Sequence, residues 1–207
     1  MTVLDKLSSS RGRRDEKPNQ ELARQIAAKN NTKAVKELID LLYDKNKNIQ
    51  SDAIKVLYEV GEKKPKLISK YAKEFVNFLD STNNRLQWGA MTALDTIAAL
   101  EPRTIYPALG KILDIAENGS VITRDHAVGI LIKLAAVKEY SEKVFTLLIG
   151  ELKTAPANQL PMYAENAMPV VTKKNKALFI KTLSSRLDDV EKETKRKRIE
   201  TVIKKLG

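Results

Sequence analysis

Five polar residues recur at a fixed spacing of 37 along this chain: Asp40, Asn77, Asp114, Glu151 and Asp188. Four of them are carboxylates, and a carboxylate row draws in a cationic partner by complementary charge. The same row counts against nucleic acid lying along it, because phosphates would meet carboxylates. The competing reading is a set of solvated helix faces, on which polar side chains simply meet water.

A second constellation centres on Trp88, the single tryptophan. One period later its place is taken by Asp125, with Arg124 beside it, and its other equivalents are Ser51 and Met162. Because a tryptophan buries so much area, packing between neighbouring elements is the plain alternative to a binding role. Two basic clusters complete the inventory. Lys63, Lys64, Lys66, Lys70 and Lys73 form one, and Lys192, Lys195, Arg196, Lys197 and Arg198 form the other. The run from Lys195 to Arg198 is dense enough to contact phosphates and also resembles a nuclear-import signal. Glu191, Glu193 and Glu200 are interspersed with it, as on an ordinary solvated helix.

Other chemistries are excluded by what the chain lacks. There is no cysteine, which removes disulfides and thiolate sites. The single histidine, His126, sits beside Ala127 without an acid–base partner that sequence can identify, and reads as a surface or boundary residue. No serine stands in a nucleophile elbow and no glycine-rich phosphate loop occurs. Gly89, Gly110 and Gly129 fall singly inside predicted helices, where they would let helices approach closely. No apolar run approaches the roughly 20 residues that span a bilayer, and Met1 to Lys17 shows no secretory signal. The expectation is a cytoplasmic, non-enzymatic protein with no cofactor, no metal site, no membrane contact and no evident small-molecule substrate.

The elements that position these residues follow from the same period. Ala53, Ala90, Ala127 and Ala164 lie 37 residues apart. Val56, Ala93, Ile130 and Ala167 follow at +3, Leu57, Leu94, Leu131 and Met168 at +4, and Val60, Ile97, Leu134 and Val171 at +7. Those offsets are the buried stripe of one amphipathic helix, repeated. A second stripe keeps the period: Leu38, Phe75, Ile112 and Ile149, with Leu41, Phe78, Ile115 and Leu152 three residues on, and Ala34, Tyr71, Ala108 and Phe145 four residues before. The spacing predicts helix pairs at 19–29 and 32–44, 48–61 and 65–80, 84–100 and 103–117, 121–137 and 139–153, and 158–172 and 175–189. A closing helix follows near 190–206. Thr182, Arg186 and Asp189 break the second stripe, as suits an end that must face water. Residues 1–17 are small and charged and are expected to form a flexible basic arm. The domains expected are thus 1–17, a repeat domain at 18–189 and a capping helix at 190–207. Charge is uneven: residues 29–73 carry +5, residues 74–154 carry −2 and residues 155–207 carry +6.

Leu86-Gln87-Trp88-Gly89-Ala90-Met91-Thr92-Ala93-Leu94 and Arg124-Asp125-His126-Ala127-Val128-Gly129-Ile130-Leu131 resemble the first helix of HEAT and armadillo-like α-solenoid repeats. The resemblance covers roughly residues 19–189. It implies an all-α, right-handed α-solenoid of about five HEAT-like helix pairs with a C-terminal capping helix, whose second helices line a concave surface. Arg124 stands at the family's typical arginine, but its equivalents are Gln50, Gln87 and Pro161. On this reading Asp40, Asn77, Asp114, Glu151 and Asp188 form a concave acidic row. The implied function is a scaffold for another protein or a basic peptide. A HEAT-like family of alkylated-DNA glycosylases supplies the alternative, a nucleic-acid binder. There Trp88 would stack, Asp125 would stabilise a cation and Arg124 would hold phosphate, backed by Lys63, Lys64, Lys70, Lys195, Arg196, Lys197 and Arg198. That family uses more than one tryptophan.

Overall fold

Ala53, Ala90, Ala127 and Ala164 are each fully buried, and so are Leu57, Leu94 and Leu131. The repeat columns are therefore core columns. A computed structural model describes residues 2–207, and its regular elements are helical. Helix α1 spans Lys17–Ala28, α2 Thr32–Leu41, α3 Lys47–Lys63, α4 Ala72–Phe78, α5 Asn84–Ile97, α6 Pro102–Ile105 and α7 Leu109–Asn118. Then follow α8 at Val121–Ala135, α9 at Ser141–Thr154, α10 at Leu160–Ala167, α11 at Lys176–Ser184 and α12 at Glu193–Leu206. Among the described residues no helix is long and apolar enough to cross a membrane.

The pairing follows the period, but prolines shorten several second helices. The predicted helix at 65–80 opens with 3-10 turns at Pro65–Leu67 and Ser69–Tyr71 before α4 begins. The predicted 103–117 breaks at the turn Tyr106–Ala108, where Pro107 lacks the N–H an α-helix needs. Pro169 ends the fifth first helix in the same way. The predicted 175–189 stops at Ser184, and a separate turn covers Leu187–Asp189. The helix predicted to end at 61 runs on to Lys63, so Gly61 lies inside α3 and is buried.

The second stripe needs one shift. Leu41, Phe78 and Ile115 are only half-buried, whereas Leu42, Leu79 and Ala116 are buried. In these three helices the +4 position therefore faces the core and the +3 position sits at its edge, whereas in the second unit Leu152, at +3, is itself buried.

The chain divides into two compact units, residues 1–126 and 127–207, and the division falls within α8. The expected boundaries at 17/18 and 189/190 do not coincide with it. In the first unit α1 packs on α3 and α3 on α5, so first helices stack on first helices. In the second unit α12 packs on α10 and α11 and closes the stack.

Inside the first unit, joints between repeats are polar and aimed at backbone. Asn46 and Asn83, 37 apart, cap α3 and α5: their side-chain oxygens accept from Asn48 N at 2.9 Å and Arg85 N at 3.2 Å. Ser120 continues the column, accepting from Thr123 N at 3.3 Å. Such caps are worth ~0.5–2 kcal/mol each. The Asn83 amide also donates back to Lys47 O, at 3.2 Å, and to Gln50 Oε1, at 2.9 Å. Gln50 donates to Asp44 O at 2.8 Å and Gln87 to Leu79 O at 2.7 Å. At the family's arginine position these glutamines fasten each first helix to the carbonyls that end the helix before it.

The N-terminal segment is held against this unit, contrary to the expectation of a flexible arm. Leu7 is 0% exposed and Val3 is buried. Val3 N donates to Glu37 Oε1 at 2.8 Å, Ser8 N to Asn19 Oδ1 at 3.0 Å and Ser9 N to Asp52 Oδ2 at 2.7 Å. Composition missed this because two apolar side chains and three long-range backbone bonds are enough to dock a short segment. Met1 lies outside the described residues.

In the second unit Arg186 explains the break in the stripe. Its guanidinium donates to Leu152 O at 2.8 Å, Lys153 O at 2.6 Å and Ala155 O at 2.9 Å, and pairs with Asp189. It thus satisfies carbonyls left open at the C-terminus of α9. Arg186→Ala is expected to lower unfolding stability by ~1.5–3 kcal/mol, the range for charge-assisted hydrogen bonds. Lysine should restore little, because it lacks the planar fork. Urea unfolding of both variants checks this, and an unchanged midpoint for the alanine variant would rule it out.

Candidate functional site

In the first unit the polar positions of the row lie at the surface. Asp40 on α2, Asn77 on α4 and Asp114 on α7 are all exposed at one register of consecutive second helices. Side chains link these helices near their ends. The rings of Tyr43 and Phe78 lie 4.9 Å apart, and Lys111 pairs with Asp80. Tyr43 is 63% exposed, the most open large apolar side chain among the described residues. Asp40 is paired with Lys36 at 2.8 Å, and both groups remain well exposed, so an incoming cation competes with a screened surface pair.

In the second unit the row does not continue as expected. Glu151 is half-buried on α9 and already has partners within the chain. Asp188 is exposed but lies on the turn Leu187–Asp189, because the fifth second helix ends early.

Trp88 is half-buried and packs edge-on against two rings: Tyr58 of α3 at 5.6 Å, and His126 of α8 at 6.3 Å. Those rings belong to the repeats before and after, so Trp88 bridges repeats. His126 is no isolated surface residue. Its Nδ1 lies 3.0 Å from Asp95 Oδ2 and its Nε2 lies 3.0 Å from Thr92 Oγ1. The Thr92 hydroxyl is also 3.1 Å from Trp88 O, and Thr92 is buried. An aspartate, a histidine and a hydroxyl in line resemble a nucleophilic relay, but this hydroxyl has no solvent access to a substrate. The arrangement fixes the Trp88 helix instead. Arg124 and Asp125 are half-buried on α8, and both have partners within the chain.

The basic clusters differ from each other. Lys63 reaches Glu59 at 4.0 Å, and Lys70 lies over the Tyr71 ring at 5.0 Å. Lys64 and Lys66 are exposed. In the C-terminal cluster each member from Lys195 to Arg198 has a partner, although the Lys197 pair is an exposed one. Lys195 donates to Asn158 O at 3.1 Å, Arg196 to Val190 O at 3.3 Å, and Lys197 pairs with Glu193 at 2.6 Å. Arg198 holds Glu165 through two bonds, of 2.8 and 2.6 Å. Hydrogen bonding from Arg198 keeps the Glu165 carboxyl below its usual range, more than offsetting the desolvation that raises it. The dense basic run is thus largely an internal fastening of α12. Among the described residues no group of His, Cys, Asp and Glu is placed to hold a metal ion.

Comparison with known proteins agrees with this geometry. Residues 21–109, within the first unit and under half of the chain, match the family described as non-SMC mitotic condensation complex subunit 1. No curated protein matches the chain. Among solved structures, a computationally designed armadillo repeat protein for modular peptide recognition has a TM-score of 0.66 at 16% identity, covering 98% of this chain and 97% of that one. A designed armadillo repeat protein in complex with the peptide (KR)4 also scores 0.66 at 16% identity, with 99% and 98% covered. An engineered protein from a structural genomics consortium scores 0.61 at 18% identity, with 100% and 99% covered. Identities this low carry the fold alone. With repeat columns buried at a 37-residue period and these likenesses, the chain has a HEAT/armadillo-like helical-repeat fold.

Proposed function

We propose that the protein is a non-enzymatic interaction scaffold that binds a basic peptide or basic protein segment along its second helices. The observation that carries the reading is the exposure of Asp40, Asn77 and Asp114 at one register, beside the open Tyr43 ring. Spaced carboxylates match spaced cationic side chains, and an exposed tyrosine face attracts a cation as well. Support comes from fold: one similar structure is a designed armadillo protein holding an alternating Lys/Arg peptide. Affinity would come from many modest contacts, as is usual for an extended repeat surface.

The test is fluorescence anisotropy with a labelled Lys/Arg peptide, on wild type and on the double variant Asp40→Lys/Asp114→Lys. Both sites are exposed, so the variant is expected to fold. Binding is expected to weaken at least about tenfold, and wild-type affinity to fall as salt screens the charges. Unchanged affinity in the double variant would reject the reading.

A further inference from the structure

The first unit carries a cleft of about 680 Å³ between the N-terminal turn, α3 and α5. That lies within the range of small-molecule sites, roughly 300–1,000 Å³. The cleft exists because the N-terminal segment is docked. Gly12, at φ +65°, turns the chain after Ser9–Arg11, and Arg13 N closes the turn on Ser8 O at 2.9 Å. Arg13 and Arg14 are thereby set at the rim, facing a wall formed by Tyr58, Arg85 and Trp88.

Most of the charged groups along this cleft already have partners. Its three carboxylates are all occupied. Asp15 is held by Arg13 at 2.8 Å and by Lys17 N at 3.1 Å. Glu16 is held by Lys55 at 3.1 Å. Asp52 accepts from Ser9 N and from Asn19 Nδ2, both at 2.7 Å. These contacts also use up Arg13 and Lys55. Burial works against the Lys55 ammonium, but its bonds to Tyr58, Glu59 and Glu16 prevail and raise its pKa, so it stays charged. Two guanidinium groups remain uncommitted, Arg14 and Arg85, both exposed at the cleft. Both free guanidinium groups belong to the same cleft as the half-buried Trp88.

Ser8 and Ser9 form part of the cleft's wall, with Ser8 only 3% exposed. Spare guanidiniums favour a phosphate or carboxylate, which they bind in a two-pronged fashion. The open part of an indole favours a flat ring.

We propose that this cleft binds a small anionic ligand bearing a planar aromatic ring, of the nucleoside monophosphate type. Arg14 and Arg85 hold the anion and Trp88 packs on the ring. This site is independent of the second-helix surface, and either can fail without the other.

Because Trp88 is the only tryptophan, its fluorescence reads the cleft directly. The experiment titrates the full chain with adenosine 5′-monophosphate, with adenosine and inorganic phosphate as separate arms. The expected result is a saturable change in Trp88 emission with the nucleotide, and affinities about tenfold or more weaker for adenosine or phosphate alone. Arg14→Ala and Arg85→Ala, both surface changes, should each weaken nucleotide binding about tenfold with circular dichroism unchanged. Trp88→Phe, followed by calorimetry, should retain weaker binding. No saturable response to any of the four common nucleoside monophosphates up to about 10 mM would overturn the proposal. So would equal binding by the arginine variants, or binding of a single-stranded oligonucleotide when no mononucleotide binds.

Discussion

Gly89→Ala is expected to destabilise the first unit by ~1–3 kcal/mol, while Gly110→Ala should stabilise it by ~0.4–1 kcal/mol. Both glycines lie within helices, so the backbone change is the same. A Cβ on Gly89 would stand 2.6 Å from Ile54 Cγ1 and 2.8 Å from its Cγ2. Ile54 is itself buried on α3, the helix against which α5 packs, and the clash falls at its branched Cβ end rather than at a flexible tip. A Cβ on Gly110 would meet nothing within 4 Å, so alanine there only reduces unfolded-state freedom. Close approach is thus the role of Gly89 and not of Gly110, which corrects part of the sequence expectation. Urea unfolding of the two variants decides the matter, and equal shifts in one direction would remove the argument. Ile54→Ala combined with Gly89→Ala should cost less than the sum of the separate changes, since each relieves the other.

The second large effect concerns the register of the core. Leu94→Ala and Leu131→Ala each delete a fully buried side chain from an inner column and should cost ~2–5 kcal/mol. The finer comparison is Leu42→Ala against Leu41→Ala. Leu42 is 0% exposed, while Leu41, its neighbour in the chain, is only half-buried. Leu42→Ala should fall in the same ~2–5 kcal/mol range and Leu41→Ala well below it. A greater loss for Leu41 would mean that α2 is rotated from the orientation described. Thermal unfolding followed by far-ultraviolet circular dichroism is sufficient to rank the four variants.

That pair also shows how far the sequence could be read. Positions +3 and +4 both lie on one face of a helix, so the apolar pattern at 38, 41 and 42 admits either stripe. Only packing against α3 decides between them. The first-helix columns were legible because alanine, an unusual residue to repeat at a fixed spacing, marks a close contact on both sides. Asn46, Asn83 and Ser120 carried an equally plain signal, three capping residues at the same period, and they were overlooked. Other features lay beyond any local pattern. His126 finds Asp95 a full repeat earlier, and Arg198 finds Glu165 at a similar distance. The candidate surface was half legible. Its period predicted Asp40, Asn77 and Asp114, but it could not show that the fifth second helix ends before Asp188. The cleft at Trp88 was invisible, because its rim depends on the docking of a segment with little apolar content.

The joints made by Gln50 and Gln87 bear on how such a chain can change over generations. Each reaches a main-chain carbonyl, Asp44 O in one case and Leu79 O in the other. Every residue offers that acceptor, whatever its side chain. A substitution at position 44 or 79 therefore leaves the fastening chemically intact. Drift at the receiving end leaves this bond intact, although Leu79 is also held by its place in the core. The reaching residue must keep an N–H donor, which arginine and glutamine both carry. A lineage built this way can lose almost all recognisable identity while its helices keep the same neighbours.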